Sequence, residues 1–192
     1  MPTRESRPDA LIIACADSRI DPYVFTQAPA GKLFVTRNIG NMVPAYGEMM
    51  GGVSAVLEYS VSFLKVKHIV VCGHTDCGAM KALLDPASVE AMPTVKGWLR
   101  NAHTALSVAE ALAELTAARA EAEENLLGLV TEQNVILQMQ HVRTHPSVAG
   151  AVARGELTMS GWVYDIAHGE VRICEEGRRV FEPVGSRVDR AG

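Results

Sequence analysis

Three short apolar runs constrain the fold of this 192-residue chain more than any other feature. Ala10 to Cys15, Leu33 to Thr36 and His68 to Cys72 are nearly continuous in apolar residues, as strands buried on both faces are. Between the second and third, Val53, Val56, Leu57 and Ser60 recur at helical spacing within Met49 to Leu64. Strand, helix, strand at this spacing predicts a parallel sheet, because parallel neighbours need a long crossover.

The second half changes character. Val108, Leu112 and Leu115 mark one face of an Ala/Glu-rich helix, and Val135, Met139 and Val142 mark another that stops near Thr144-His145-Pro146. A short helix should follow Pro146 and end at Gly155. Thr158 to Ile166, a turn at His168-Gly169, and Val171 to Cys174 predict a closing strand pair. With no linker and no repeat, residues 1–192 read as one α/β domain: a central, mainly parallel sheet with flanking helices and a C-terminal strand pair.

Composition narrows the function classes. Hydrophobic residues at 48% and charged residues at 21% are a globular balance, and a net charge of −4 without a basic run argues against nucleic acid. The first nine residues hold no apolar segment of the secretory kind, and Leu11 to Ala14 is too short to span a bilayer. A soluble, cytoplasmic chain is expected. Four cysteines in this length suggest reduced thiols rather than a disulfide framework.

The strand ends carry the chemistry. In an open parallel sheet, functional residues gather at the carboxyl ends of strands. Cys15 ends the first run, His74 ends the third, and Cys77 would open the next helix, where partial positive charge favours a thiolate. Two sulfurs and an imidazole are a soft set suited to zinc, and three protein ligands leave the fourth tetrahedral position for water. Gly73 and Gly78 bracket this turn and should let the backbone approach the metal closely. Asp17 and Arg19, two residues apart, would face the same way on an extended segment, the guanidinium holding the carboxylate. Cys72 and Cys174 read as core. Arg37 and Asn38 could line the site or serve as a cap or sheet-edge contact, and His103 and His168 read as solvated.

Competing motifs fail. Gly73 to Gly78 has G-x-x-x-x-G spacing, but Ala79-Met80 stands where a phosphate loop needs Lys-Ser/Thr. His141 and His145 are four apart without the glutamate of a zincin, and read as helix-surface or core residues.

At these residues the chain resembles the β-class carbonic anhydrases. Cys-Ala-Asp-Ser-Arg at 15–19 and Cys-Gly-His-Thr-Asp-Cys-Gly at 72–78 are similar to that family's two signatures. The likeness continues through Phe34 to Asn38, Glu58-Tyr59, His68 to Val71, and Gly161 to Ile166 with Gly169. It implies reversible hydration of carbon dioxide to bicarbonate and a proton by zinc-bound hydroxide. One zinc per chain would sit on Cys15, His74 and Cys77, with Asp17 accepting a hydrogen bond from the hydroxide and Arg19 holding Asp17. Phe34, Tyr59 and Gly78 would line the carbon dioxide pocket. The family places that pocket at a subunit interface, which implies a homodimer or higher homo-oligomer.

Ile12 stands where some bacterial members carry an aromatic of an inhibitory bicarbonate site, so the likeness is to the plant and cyanobacterial type. Only fourteen residues precede Cys15, so a weaker interface than is usual in the family is expected, and Ser6, where the family commonly has a glutamine, should alter one wall of the pocket. The rival readings are a carbon disulfide or carbonyl sulfide hydrolase on the same scaffold, or a non-catalytic zinc-binding assembly protein.

Overall fold

The computed structural model describes residues 7–116 and 122–184; Ser6 lies outside them. Its strands are β1 (Ala10–Cys15), β2 (Leu33–Asn38), β3 (His68–His74), β4 (Thr158–Asp165), β5 (Glu170–Glu175) and β6 (Glu182–Pro183). They form one sheet in the order β2-β1-β3-β4-β5-β6. The first four strands in that order run parallel, while β5 and β6 are antiparallel. The predicted parallel sheet and closing strand pair are both present, with β4 also serving as the fourth parallel strand.

The helices are α1 (Pro22–Thr26), α2 (Gly52–Ser62), α3 (Gly78–Leu84), α4 (Pro93–Leu99), α5 (His103–Thr116), α6 (Ala122–Thr144) and α7 (Pro146–Ala153). Among the described residues, none is long and apolar enough to cross a membrane. α1 begins where Asp21 accepts from the Tyr23 N–H at 2.9 Å and Pro22 takes the first helical position, where its missing N–H does no harm. α7 likewise starts on Pro146.

Apolar residues cover both sheet faces. On one, Leu11, Ile13, Ile69 and Val71 pack under Leu57 and Val61 of α2 and Val135, Met139 and Val142 of α6. On the other, Ile12, Ala14, Val70 and Cys72 meet Met80 and Leu83 of α3, Leu99 and Ala109. Each such aliphatic side chain contributes roughly 1.5–3 kcal/mol when removed from water.

Gly73 has a different reason from the one its sequence position suggested. A Cβ there would stand 2.7 Å from Val135 Cγ2, and one at Gly161 on the neighbouring strand would stand 2.5 Å from Val135 Cγ1. Both glycines clear room for α6 to lie against the sheet. Gly73 therefore serves helix packing rather than metal approach.

The connection leaving β1 goes to one side, to β2, while the one leaving β3 goes to the other, to β4. The winding reverses between β1 and β3. Side chains at the carboxyl ends of these two strands thus face a crevice that the topology leaves open.

Candidate metal centre

Cys15 closes β1, His74 closes β3, and Cys77 is the N-cap of α3. Their ligand atoms all lie within 4.8 Å of one another, and all three residues are buried. The two sulfurs are 4.0 Å apart. Two thiolates at zinc–sulfur distance and a tetrahedral angle would be about 3.8 Å apart, so the spacing suits one zinc ion.

His74 fits the same role. Its Nδ1 lies 2.8 Å from the Thr75 carbonyl, which can only accept, so Nδ1 carries the proton and Nε2 offers a lone pair. Nε2 is buried with no hydrogen-bond partner, a costly state unless a cation takes it up. The loop that sets this geometry is pinned to β4. The Thr75 N–H donates to the Tyr164 carbonyl at 2.9 Å, and Thr75 Oγ1 accepts from the Ile166 N–H at 3.0 Å.

The sulfur pair is poised for a cation. The hydrogen bond from Cys77 holds the Cys15 thiol well below the usual cysteine range, against burial. That bond, together with burial, pushes Cys77 far above it. A bound dication would favour the thiolate form of both sulfurs. Cys72, fully enclosed, is pushed up to about 12 by burial and is a core thiol, as its place on the strand predicted. Cys174 is also buried.

Asp17 and Arg19 meet in a turn rather than on an extended segment: the Ile20 N–H donates to the Asp17 carbonyl at 3.2 Å. Arg19 donates to Asp17 from its backbone N–H at 3.0 Å, from Nε at 2.9 Å and from Nη2 at 2.7 Å. Its side-chain hydrogen bonds hold the Asp17 carboxyl far below the ordinary range, so it is an ionised acceptor. Asp17 Oδ2 lies 3.9 Å from His74 Nε2, which places the carboxylate at the metal-binding triangle.

Arg37 was open between site and sheet-edge roles. Its Nε donates to the Cys15 carbonyl at 3.0 Å and its Nη2 to the Asp17 carbonyl at 2.6 Å, fixing the backbone that presents both side chains. Asn38 caps the following turn through both backbone polar groups of Met42. His141 and His145 donate to the Val43 and Pro44 carbonyls, structural contacts as anticipated. His168 is exposed, as its sequence position suggested, and its Nδ1 lies 3.1 Å from Asp165 Oδ2.

The pocket residues divide. Gly78 follows Cys77 directly and faces open space. Phe34 and Tyr59 lie together, ring centroids 6.0 Å apart, with Phe63 stacked on Tyr59 at 4.9 Å. Phe34 packs on the sheet face opposite the sulfurs. It precedes Asn38, the partner of Cys15, by four residues, or about 13 Å of strand. Within one chain these aromatics do not reach the metal-binding triangle.

Residues 10–171 match the family model described as carbonic anhydrase. The chain is 46% identical over 180 residues to a carbonic anhydrase of Pseudomonas aeruginosa, spanning 93% of this chain and 78% of that one. Among solved structures, the β-carbonic anhydrase CcaA superposes with a TM-score of 0.83 at 36% identity, covering 95% of this chain and 80% of the other. A tetrameric β-carbonic anhydrase from Sordaria macrospora superposes with a TM-score of 0.72 at 30% identity, covering 91% and 83%.

Proposed function

The chain belongs to the β-carbonic anhydrase family, and from that premise we propose that it hydrates carbon dioxide reversibly to bicarbonate and a proton, using one zinc ion held by Cys15, His74 and Cys77. The observation that carries this reading is the buried triangle of two sulfurs and an unpartnered imidazole nitrogen beside an arginine-held carboxylate. Zinc bound there supplies Lewis acidity, which makes water a nucleophile near neutral pH.

The residues do the rest. Cys15 and Cys77 would hold the metal as thiolates, releasing their protons on binding. His74 gives Nε2 because Thr75 fixes its tautomer. Asp17, kept ionised by Arg19, accepts a hydrogen bond from the attacking oxygen and so turns a lone pair toward the substrate carbon. The substrate is linear and uncharged, and needs an apolar wall more than polar anchors.

Phe34 and Tyr59 are that wall in this reading, supplied by a second copy of the chain. Tyr59 is 48% exposed and Phe63 69%, and they lie beside the edge strand β2, a surface suited to self-association. Stopped-flow hydration of carbon dioxide by protein of measured zinc content tests the activity. A zinc-loaded protein no faster than its buffer would refute it.

A further inference from the structure

Arg19 does more than face Asp17. Its other edge is held by Asp76, which sits between His74 and Cys77 on the second ligand loop. Arg19 Nη1 donates to Asp76 Oδ2 at 2.6 Å, and Nη2 also donates to the Asp76 carbonyl at 3.1 Å. The guanidinium thus bolts the loop after β1 to the loop after β3. Asp76 presents carbonyl and carboxylate to Arg19 together because its backbone is left-handed, with φ of 60°. That region is open to Gly, Asn and Asp and closed to most other residues. Lys81, one turn into α3, pairs with the remaining carboxylate oxygen, Oδ1.

Without this clamp Arg19 would be a poor anchor. Its side chain is 43% exposed, and an exposed arginine–carboxylate pair samples many geometries for little net gain. Holding both edges of the planar fork removes that freedom. We propose that Asp76 is a positioning residue: by clamping Arg19 it fixes the direction in which Asp17 presents Oδ2 to the reacting oxygen. This rests on the proposed carbon dioxide hydration, and it assigns the residue between two metal ligands to orientation of the acceptor rather than to metal binding.

Asp76→Gly keeps the left-handed backbone and deletes the carboxylate, while Asp76→Asn keeps the backbone and one acceptor oxygen. Two readouts decide. The first is exchange of the Arg19 Nε–H by NMR in metal-free and zinc-loaded protein. It should quicken at least about tenfold in Asp76→Gly and much less in Asp76→Asn. The second is kinetic: kcat should fall about tenfold in Asp76→Gly with KM and zinc content unchanged, and Asp76→Asn should recover most of it.

On an Asp17→Asn background, Asp76→Gly should add no further loss, because its effect passes through Asp17. Unchanged Nε–H exchange, lost zinc, or an equal loss on the Asp17→Asn background would each overturn the assignment. Lys81→Met, which leaves the loop backbone intact, should give a smaller change in the same direction; no change in exchange would count against the clamp. Should the parent protein prove inactive on carbon dioxide, the family-based reading fails, and the exchange measurement still decides whether Asp76 restrains Arg19.

Discussion

Asp17 Oδ2 stands 3.9 Å from His74 Nε2, although one belongs to the turn after β1 and the other to the end of β3. That proximity makes the carboxylate an acceptor for an oxygen bound near the imidazole. Asp17→Asn keeps the shape and removes the anion, and its amide nitrogen can only donate. It should retain stoichiometric zinc while hydration falls on the order of 10²-fold or more. Metal analysis with stopped-flow on the same sample checks both halves; a parent-like rate would remove Asp17 from the reaction.

Cys77 carries a second prediction, because it ties α3 to the triangle as its N-cap. Cys77→Ala should lose the metal and lower the melting temperature relative to zinc-loaded parent, since zinc binding contributes to folding. Metal analysis after dialysis, paired with calorimetry, measures it. Parent melting behaviour with zinc still bound would place the metal elsewhere.

Why Cys15, His74 and Cys77 were legible before the structure is physical. Cys15 and His74 sit where apolar runs end, with Cys77 three residues further on at the start of α3, and parallel sheets bring such ends together without further information. Gly73 was misread because its constraint comes from Val135, 62 residues later, on a helix whose placement no local pattern encodes. The Arg19–Asp76 contact was invisible for a similar reason: it spans 57 residues and depends on a positive φ at Asp76. α1 and β6 escaped because five and two residues are too few to show a period.

Steric demand at the α6 contact gives a stability test. Gly73→Ala would press a methyl to 2.7 Å from Val135, so α6 or the strand must shift. Overpacking of this kind should destabilise by about 1–3 kcal/mol, and Val135→Ala in the same chain should relieve part of it. Chemical denaturation of the two single variants and the double variant measures this. Additive losses would show that the two positions do not compete for space.

Phe63 stacks on Tyr59 at the surface, and Tyr59 meets Phe34, so a charge there should break any assembly built on this patch. Phe63→Glu should shift the mass in light scattering toward 20.6 kDa and reduce activity in proportion, while leaving zinc in place. A fully active monomer would show that each chain completes its own pocket.

A final prediction concerns acid stability, away from the metal site. His68 on β3 touches Thr158 Oγ1 at 2.5 Å and Ser160 Oγ at 2.8 Å, and Ser160 in turn accepts from Trp162 Nε1 at 2.9 Å. Burial lowers the His68 pKa from the ordinary 6.5, and burial lowers His145 in the same direction. A histidine harder to protonate when folded means that the unfolded chain binds more protons below pH 6.5. Stability is therefore fully present above that value and declines as pH falls toward the folded pKa. His68→Gln keeps a polar side chain without a titrating ring, so it should flatten the fall in melting temperature below pH 6.5 and leave the share due to His145. Thermal scans at several pH values measure the slope. An unchanged slope in His68→Gln would mean that the His68 ring takes up its proton as readily in the folded protein as in the unfolded one.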